Sequence, residues 1–142
     1  MSTGTSTGKT ERTRYAIVKE VPYKFDEAVE RTMEALKAEG FGVLSEIRMD
    51  EKFREKLNKE FRKYVILGAC NPPLALETIR QDINIGLLLP CNVVVYEAER
   101  EGNSVVAAID AKAMMSVVGD APEIIETAAS VNKKLGRAIE AV

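Results

Sequence analysis

The order of the predicted elements indicates an α+β protein with a mainly antiparallel sheet. Hydrophobic patterns predict, in turn, a strand, helix, strand, helix, strand, helix, strand, strand and helix. The last two strands flank the turn Glu101-Gly102-Asn103 and are expected to form a hairpin. This hairpin breaks the strand–helix alternation that a doubly wound parallel sheet requires. We therefore predict a five-stranded sheet packed against helices, in one domain over residues 14–142.

The first part of the chain alternates strands with amphipathic helices. Strands are predicted at 15–21, 41–47 and 64–70, and helices at 25–39 and 50–60. In the first helix, Phe25, Val29, Met33 and Leu36 recur at spacings of four, four and three, which makes one buried stripe. Gly40 is placed to end this helix in a left-handed conformation. Asp50 is predicted to cap the second helix.

The second part contains the hairpin and the longest helix. Asn71 and Pro72 are a good cap and a good first residue for a helix over 72–81. Strands follow at 93–99 and 104–110, and then an irregular piece with two methionines at 111–118. Asp120 and Glu123 form a capping box for a last helix that ends near residue 141. The core stripe of this helix is predicted to be Ile124, Ala128, Val131, Leu135 and Ala138.

Composition excludes several classes of function. Net charge is -2, so no general attraction to nucleic acid is expected. The longest apolar run, 85–89, is too short to span a bilayer, and the N-terminus has no apolar signal segment. Two cysteines do not make a disulfide framework, which favours a cytoplasmic protein. Histidine is absent, so neither Ser-His nor Cys-His catalysis can be built within one chain.

The N-terminal residues 1–13 are small and polar, which predicts a disordered tail. Within it, Gly4 to Thr10 is similar to a phosphate-binding loop, but only three residues separate its glycines where the motif needs four. The segment also precedes a strand instead of following one. We interpret the similarity as chance.

The most unusual feature of the sequence is a repeated Cys-Asn pair, each at the end of an apolar run. Cys70 and Asn71 end one predicted strand, and Cys91 and Asn92 precede the next. If these strands are antiparallel neighbours, both cysteines lie at the same edge of the sheet. If they are parallel, the cysteines lie a strand length apart, about 20 Å.

Three blocks of sequence resemble the domain-of-unknown-function family numbered 302: residues 42–47, 66–72 and 87–96, the last two containing the cysteines. The resemblance covers roughly residues 15–142. It implies a curved antiparallel sheet packed against helices, of the TATA-binding-protein-like class, and a homodimer, without an established activity. It also favours the antiparallel arrangement, which would bring Cys70 and Cys91 close together.

Close cysteines allow three chemistries: a reversible disulfide, a soft metal ion such as Cu(I), and a nucleophilic thiol at a helix N-terminus. The alternative is that both are small buried hydrophobes and that the asparagines are caps and turn formers. A structural zinc site is disfavoured, because it needs four ligands.

Other candidate residues are isolated. Glu46 and Asp110 are carboxylates on mostly apolar strands, and Met114 and Met115 are placed to line a ligand cavity or to fill the core. Leucines 87–89 lie outside a regular element and are expected in a dimer contact or a pocket wall.

We predict a binding domain that holds a small apolar ligand or a soft metal ion near Cys70 and Cys91, with Asn71, Asn92, Glu46 and Met115 as further candidates. No cofactor can be named. The alternatives are a thiol-based redox protein and an interaction module with inert cysteines.

Overall fold

The computed structural model describes residues 8–119 and 121–142. Its strands are β1 Thr10–Arg12, β2 Ala16–Val21, β3 Gly42–Arg48, β4 Tyr64–Cys70, β5 Cys91–Glu97 and β6 Ser104–Ile109. Its α-helices are α1 Phe25–Ala38, α2 Met49–Leu57, α3 Pro72–Gln81, α4 Ala111–Met115 and α5 Pro122–Ala141. Short 3₁₀ helices occupy Ile83–Leu88 and Ser116–Val118.

The strands form one antiparallel sheet in the order β1-β2-β6-β5-β4-β3. The α+β class and the antiparallel sheet are therefore confirmed, and the β5–β6 hairpin turns at Gly102, whose φ is +85°. The sheet has six strands instead of the predicted five. The additional strand is β1, which pairs with β2 from Thr10↔Lys19 to Arg12↔Ile17. Part of the predicted disordered tail is thus ordered, whereas residues 1–7, with most of the loop-like segment, lie outside the described residues.

Strand β1 escaped prediction because its three residues, Thr-Glu-Arg, have no hydrophobic pattern. Main-chain hydrogen bonds to the exposed edge of β2 hold it. Its last residue also contributes on the helix side of the sheet, since Arg12 packs over Gly136 of α5.

Helices α1 and α5 cover one face of the sheet and enclose the main core. The predicted stripe of α1 places Phe25 and Leu36 in this core, and α5 contributes Leu135, Ala138 and Ile139. Lys19 also points toward this layer. Its Nζ donates a 2.7 Å hydrogen bond to the carbonyl of Glu140 near the C-terminal end of α5, where a cation is favoured.

Two predicted helix starts differ from the structure. Helix α5 begins at Pro122, and no side chain caps it at Ala121; the predicted capping box needs Asp120, which lies outside the described residues. Helix α2 begins one residue before Asp50, so Asp50 is not its cap. Instead the Asp50 carboxylate is buried and accepts hydrogen bonds from Arg48 Nε (3.0 Å), Arg48 Nη2 (2.8 Å) and the amide of Tyr64 (3.2 Å).

These bonds to Asp50 predict an acid-sensitive contribution to stability. The hydrogen bond from Arg48 lowers the pKa of Asp50 below its ordinary value of 3.8. The contribution is therefore present above that value and is lost as the pH falls through the folded-state pKa. We expect Asp50→Asn to reduce the free energy of unfolding at pH 7 by about 2 kcal/mol. Urea titrations at a series of pH values should show a flatter acid decline in the variant. An equally steep decline in both proteins would contradict this role.

The second face of the sheet carries no helix layer of comparable extent. Its side chains form cross-strand rows that are mostly apolar, such as Val94 opposite Ile66 and Ala107. Tyr64 and Tyr96 stack on this face with ring centroids 5.4 Å apart. A shallow depression of about 420 Å³ lies here between Tyr15 and Tyr96.

Candidate functional site

The strands that carry the two cysteines are antiparallel neighbours, as predicted. Cys91 begins β5 and lies opposite Ala69 of β4, while Asn92 lies opposite Gly68. Cys70 ends β4 and is therefore one residue out of register with Cys91. Because side chains alternate between the two faces of a strand, the cysteines do not form a facing pair.

The predicted sulfur pair is not confirmed. Both cysteines are free thiols, and Cys91 is only 6% exposed. Burial, together with the nearby Cys70, raises the pKa of Cys91 to about 11, so this thiol stays protonated at neutral pH. The thiolate is the reactive form, so a protonated thiol is a poor nucleophile, and it binds a metal ion only by releasing its proton. The geometry therefore gives no support to the predicted disulfide, redox and Cu(I) chemistry.

The same strand ends form the floor of a cavity of about 330 Å³. Helices α3 and α5 wall it, and α4 and the Ile83–Leu88 segment close its sides. Its lining is Phe41, Leu44, Ala69, Cys70, Asn71, Leu74, Ala75, Thr78, Ile79, Gly86, Leu89, Pro90, Cys91, Ala111, Met115, Ile124, Thr127, Ala128 and Val131. Among these residues there is no charged side chain. The side chains of Cys70, Cys91 and Met115, which were candidates for chemistry, thus form part of a mainly apolar wall.

A β-bulge in β3 turns Leu44 toward the cavity. Val43 pairs with Ala69 and Ser45 pairs with Gly68, so Leu44 is the extra residue between them. A bulge re-aims a side chain that regular alternation would place on the other face. Leu44 lines the cavity and is still 69% exposed, which marks where the cavity reaches the surface. The regular alternation of a strand does not hold at Leu44, and no signal in the sequence indicates the bulge.

Helix α4 is held against α5 by a polar cluster behind the cavity wall. Asp110 Oδ1 accepts from the amides of Lys112 and Ala113, at 3.0 Å each, and from Asn132 Nδ2 at 2.9 Å. Asn132, on α5, accepts in turn from the amide of Ala111 through Oδ1 at 2.7 Å. Asp110 is therefore a helix cap with its acceptor occupied, and this cluster positions Ala111 and Met115 at the cavity.

The structure separates the predicted site residues into two groups. Cys70, Asn71, Cys91 and Met115 border the cavity, and Asn71 caps α3 by accepting from the amide of Leu74 (3.4 Å), as predicted. Asn92 is exposed on the opposite face of the sheet, beside Tyr64 and Tyr96.

The predictions for Glu46 and for leucines 87–89 hold only in part. Glu46 is exposed on the edge strand β3, opposite Leu67, and does not line the cavity. Of the three leucines, Leu89 forms part of the wall and Leu88 packs beside it, while Leu87 is 88% exposed.

Sequence reasoning missed most of the helical wall. Ala75, Thr78 and Thr127 line the cavity, although neither a small residue nor a threonine in a helix has a pattern that indicates a binding site. Ile124, Ala128 and Val131 were predicted as core, and they are core residues that also face the cavity. The 3.6-residue period identified their face without revealing that the face is only partly filled.

Two searches of the described residues define the site further. Residues 8–119 and 121–142 hold no group of three or more histidine, cysteine, aspartate or glutamate side chains that could bind a metal ion. Within the same ranges, no helix combines the length and the apolar character that crossing a membrane requires.

Fold and cavity define an α+β domain with an apolar pocket between one end of an antiparallel sheet and three helices. The family model "Domain of unknown function DUF302" matches residues 17–142, and the chain belongs to this family. It is similar to the "uncharacterized conserved protein DUF302 from Bacillus stearothermophilus", whose crystal structure superimposes with a TM-score of 0.81. The two share 31% identity, over 91% of this chain and 98% of the other. Among curated proteins, none matches this sequence. The finer assignment to the TATA-binding-protein-like class stays a prediction.

Proposed function

We propose that this protein is a binding domain that holds a small apolar molecule in the cavity above β4 and β5. The observation on which the proposal depends is the cavity itself: about 330 Å³, bordered by apolar side chains and by no charged one among the described residues. Protein interiors contain few voids larger than a water molecule. A space this size is typical of small-molecule pockets, which start at about 300 Å³.

The pocket on the other face of the sheet is a weaker candidate. It has a larger volume, about 420 Å³, but it is an open depression along strands, bordered by Tyr15, Asn92 and Tyr96. The cavity near Cys91 instead has walls from the sheet end, from α3 and from α5, and an apolar lining, so an apolar ligand there exchanges part of its contact with water for apolar contacts. Apolar ligands gain affinity from that loss.

The predicted homodimer remains a prediction. The apolar rows on the uncovered sheet face, with Val94 and Ile66, support it, because a sheet face of this kind is normally covered.

Benzene is a suitable first probe, since an engineered apolar cavity of about 150 Å³ in another protein binds it. We expect benzene to shift the methyl NMR signal of Met115, which lines the cavity and is 5% exposed. The chain has five methionines, so the variant Met115→Leu assigns the signal.

A matched pair of variants tests the location. Ala128→Leu adds a branched side chain inside the cavity and should abolish the shift. Ala129→Leu places the same side chain on the exposed face of α5 and should leave it intact. An unshifted Met115 methyl in the wild-type protein, or an undiminished shift in Ala128→Leu, would reject the proposal.

A further inference from the structure

The lining of the cavity offers no counter-charge to a charged ligand group. Among its 19 lining residues there is no Asp, Glu, Lys or Arg. A carboxylate, phosphate or ammonium group in this space would lose its hydration without gaining a counter-charge. That loss strongly disfavours an ion inside the cavity.

Among the side-chain nitrogen and oxygen atoms of the lining, one hydrogen-bond donor group is unused. The hydroxyl of Thr78 donates to the carbonyl of Leu74 at 2.8 Å, and the hydroxyl of Thr127 donates to that of Glu123 at 3.0 Å. Both hydroxyl groups therefore already donate a hydrogen bond within their own helices. Asn71 uses only its Oδ1, as the cap of α3, and its Nδ2 has no acceptor among the described residues.

Gly40 lies next to this amide group. A Cβ atom at Gly40 would lie 3.0 Å from Asn71 Nδ2. With φ at +87°, Gly40 has a backbone conformation that favours glycine, so no side chain covers the amide from that side. Since no buried side-chain nitrogen or oxygen in the described residues lacks a partner, Nδ2 remains accessible to solvent or to a bound molecule.

We infer that the ligand is a neutral, mainly hydrocarbon molecule with one carbonyl oxygen, which accepts a hydrogen bond from Asn71 Nδ2. This inference rests on the proposed function. The volume of about 330 Å³ is roughly twice that of a cavity that holds benzene, which corresponds to about ten carbon atoms. A linear or cyclic aliphatic ketone of that size satisfies the lining; an alkane leaves the amide without a partner, and a fatty-acid anion brings an uncompensated charge.

Three probes of equal chain length test the class of ligand: decane, methyl octyl ketone and decanoate, each titrated against the Met115 methyl signal. We expect the ketone to bind about five- to tenfold more tightly than decane, the effect of one hydrogen bond. Decanoate should bind at least about tenfold more weakly than the ketone.

The variant Asn71→Asp isolates the amide group, because aspartate caps a helix as well as asparagine does. It replaces the Nδ2 donor with an acceptor. We expect its preference for the ketone over decane to disappear. Asn71→Ser, which also caps the helix and lacks the amide, should behave in the same way.

The outcomes separate the two proposals. If decane shifts Met115 but the ketone binds no more tightly, or if both Asn71 variants keep the ketone preference, the inferred ligand class is wrong and the apolar site stands. Tightest binding of decanoate would also overturn the class. If none of the three probes shifts Met115 in the wild-type protein, the proposed function itself is wrong.

Discussion

Replacing Asn132 by leucine should lower the free energy of unfolding by about 3 kcal/mol, the sum of an unsatisfied buried donor and lost hydrogen bonds. Asn132 is 8% exposed and is the acceptor for the amide of Ala111. Leucine has a similar size but no acceptor, so this amide would be buried without a partner. Asp110 would lose its bond from Asn132 Nδ2. Urea denaturation measures the change directly.

The neighbouring substitution Lys133→Leu is the control. Lys133 is exposed on the same helix, and its replacement should change stability by no more than about 0.5 kcal/mol. Since the Asn132 cluster holds α4 against α5, the leucine variant should also broaden the Met115 methyl signal at the cavity wall. Equal stabilities of the two variants would show that the cluster does not hold α4.

The variant Asn132→Asp provides a second test with a different pH dependence. It retains the acceptor for Ala111 but places a second carboxylate about 3 Å from Asp110 Oδ1, which is a repulsive arrangement. Its deficit should be largest at neutral pH and should shrink as the pH falls, when the two groups share a proton. The deficit of Asn132→Leu has no such cause and should not shrink in this way.

Replacing Gly68 by valine should destabilise the protein by about 3 kcal/mol, at the upper end of the cost of overpacking. A Cβ atom at Gly68 would overlap Ser45 Oγ and lie 2.8 Å from Pro90 Cγ. The serine hydroxyl can rotate away, but the proline ring cannot. Gly68 is therefore required by the close approach of β3 and of the Pro90 segment to β4, beside the cavity floor.

Gly42 supplies the matched comparison for Gly68. It lies on β3, and a Cβ atom there would meet nothing within 4 Å. Gly42→Val should therefore be neutral or slightly stabilising, because valine favours strands. The double variant Ser45→Ala with Gly68→Ala should recover only part of the loss of Gly68→Ala, since Pro90 remains in place. Full recovery would assign the whole effect to Ser45.

Most of the secondary structure was predictable because its signals are local. The apolar run of β4 gave its bounds, and Asn71 with Pro72 located the start of α3. Periodicity identified the buried face of α5 from Ile124 to Ala138. Predictions failed where a local signal had more than one meaning. Aspartate is a preferred capping residue. The Asp50 carboxylate instead accepts hydrogen bonds from the Arg48 guanidinium and from the amide of Tyr64, which is 14 positions away in the sequence.

The sequence located a candidate site at the edge of the sheet where the cavity lies, but the thiol chemistry predicted for it is not supported. The repeated Cys-Asn pair marks the two strand ends that form the cavity floor. Whether two cysteines face each other depends on the register, however, and a shift of one residue reverses the face of a side chain. The register of β4 and β5 follows from how their apolar residues fit under the helices, which no short motif reports.

From its own sequence, this chain could be assigned its class, its antiparallel hairpin, its family and its core faces, since each depends on spacing or on a short block of residues. The sixth strand, the bulge at Leu44 and the cavity depend on tertiary structure. They arise where distant segments meet: β1 pairs with β2 through main-chain atoms, and α3, α4 and α5 fail to fill the space above Ala69 and Cys91. An unfilled space is a property of packing between elements, so no single segment encodes it.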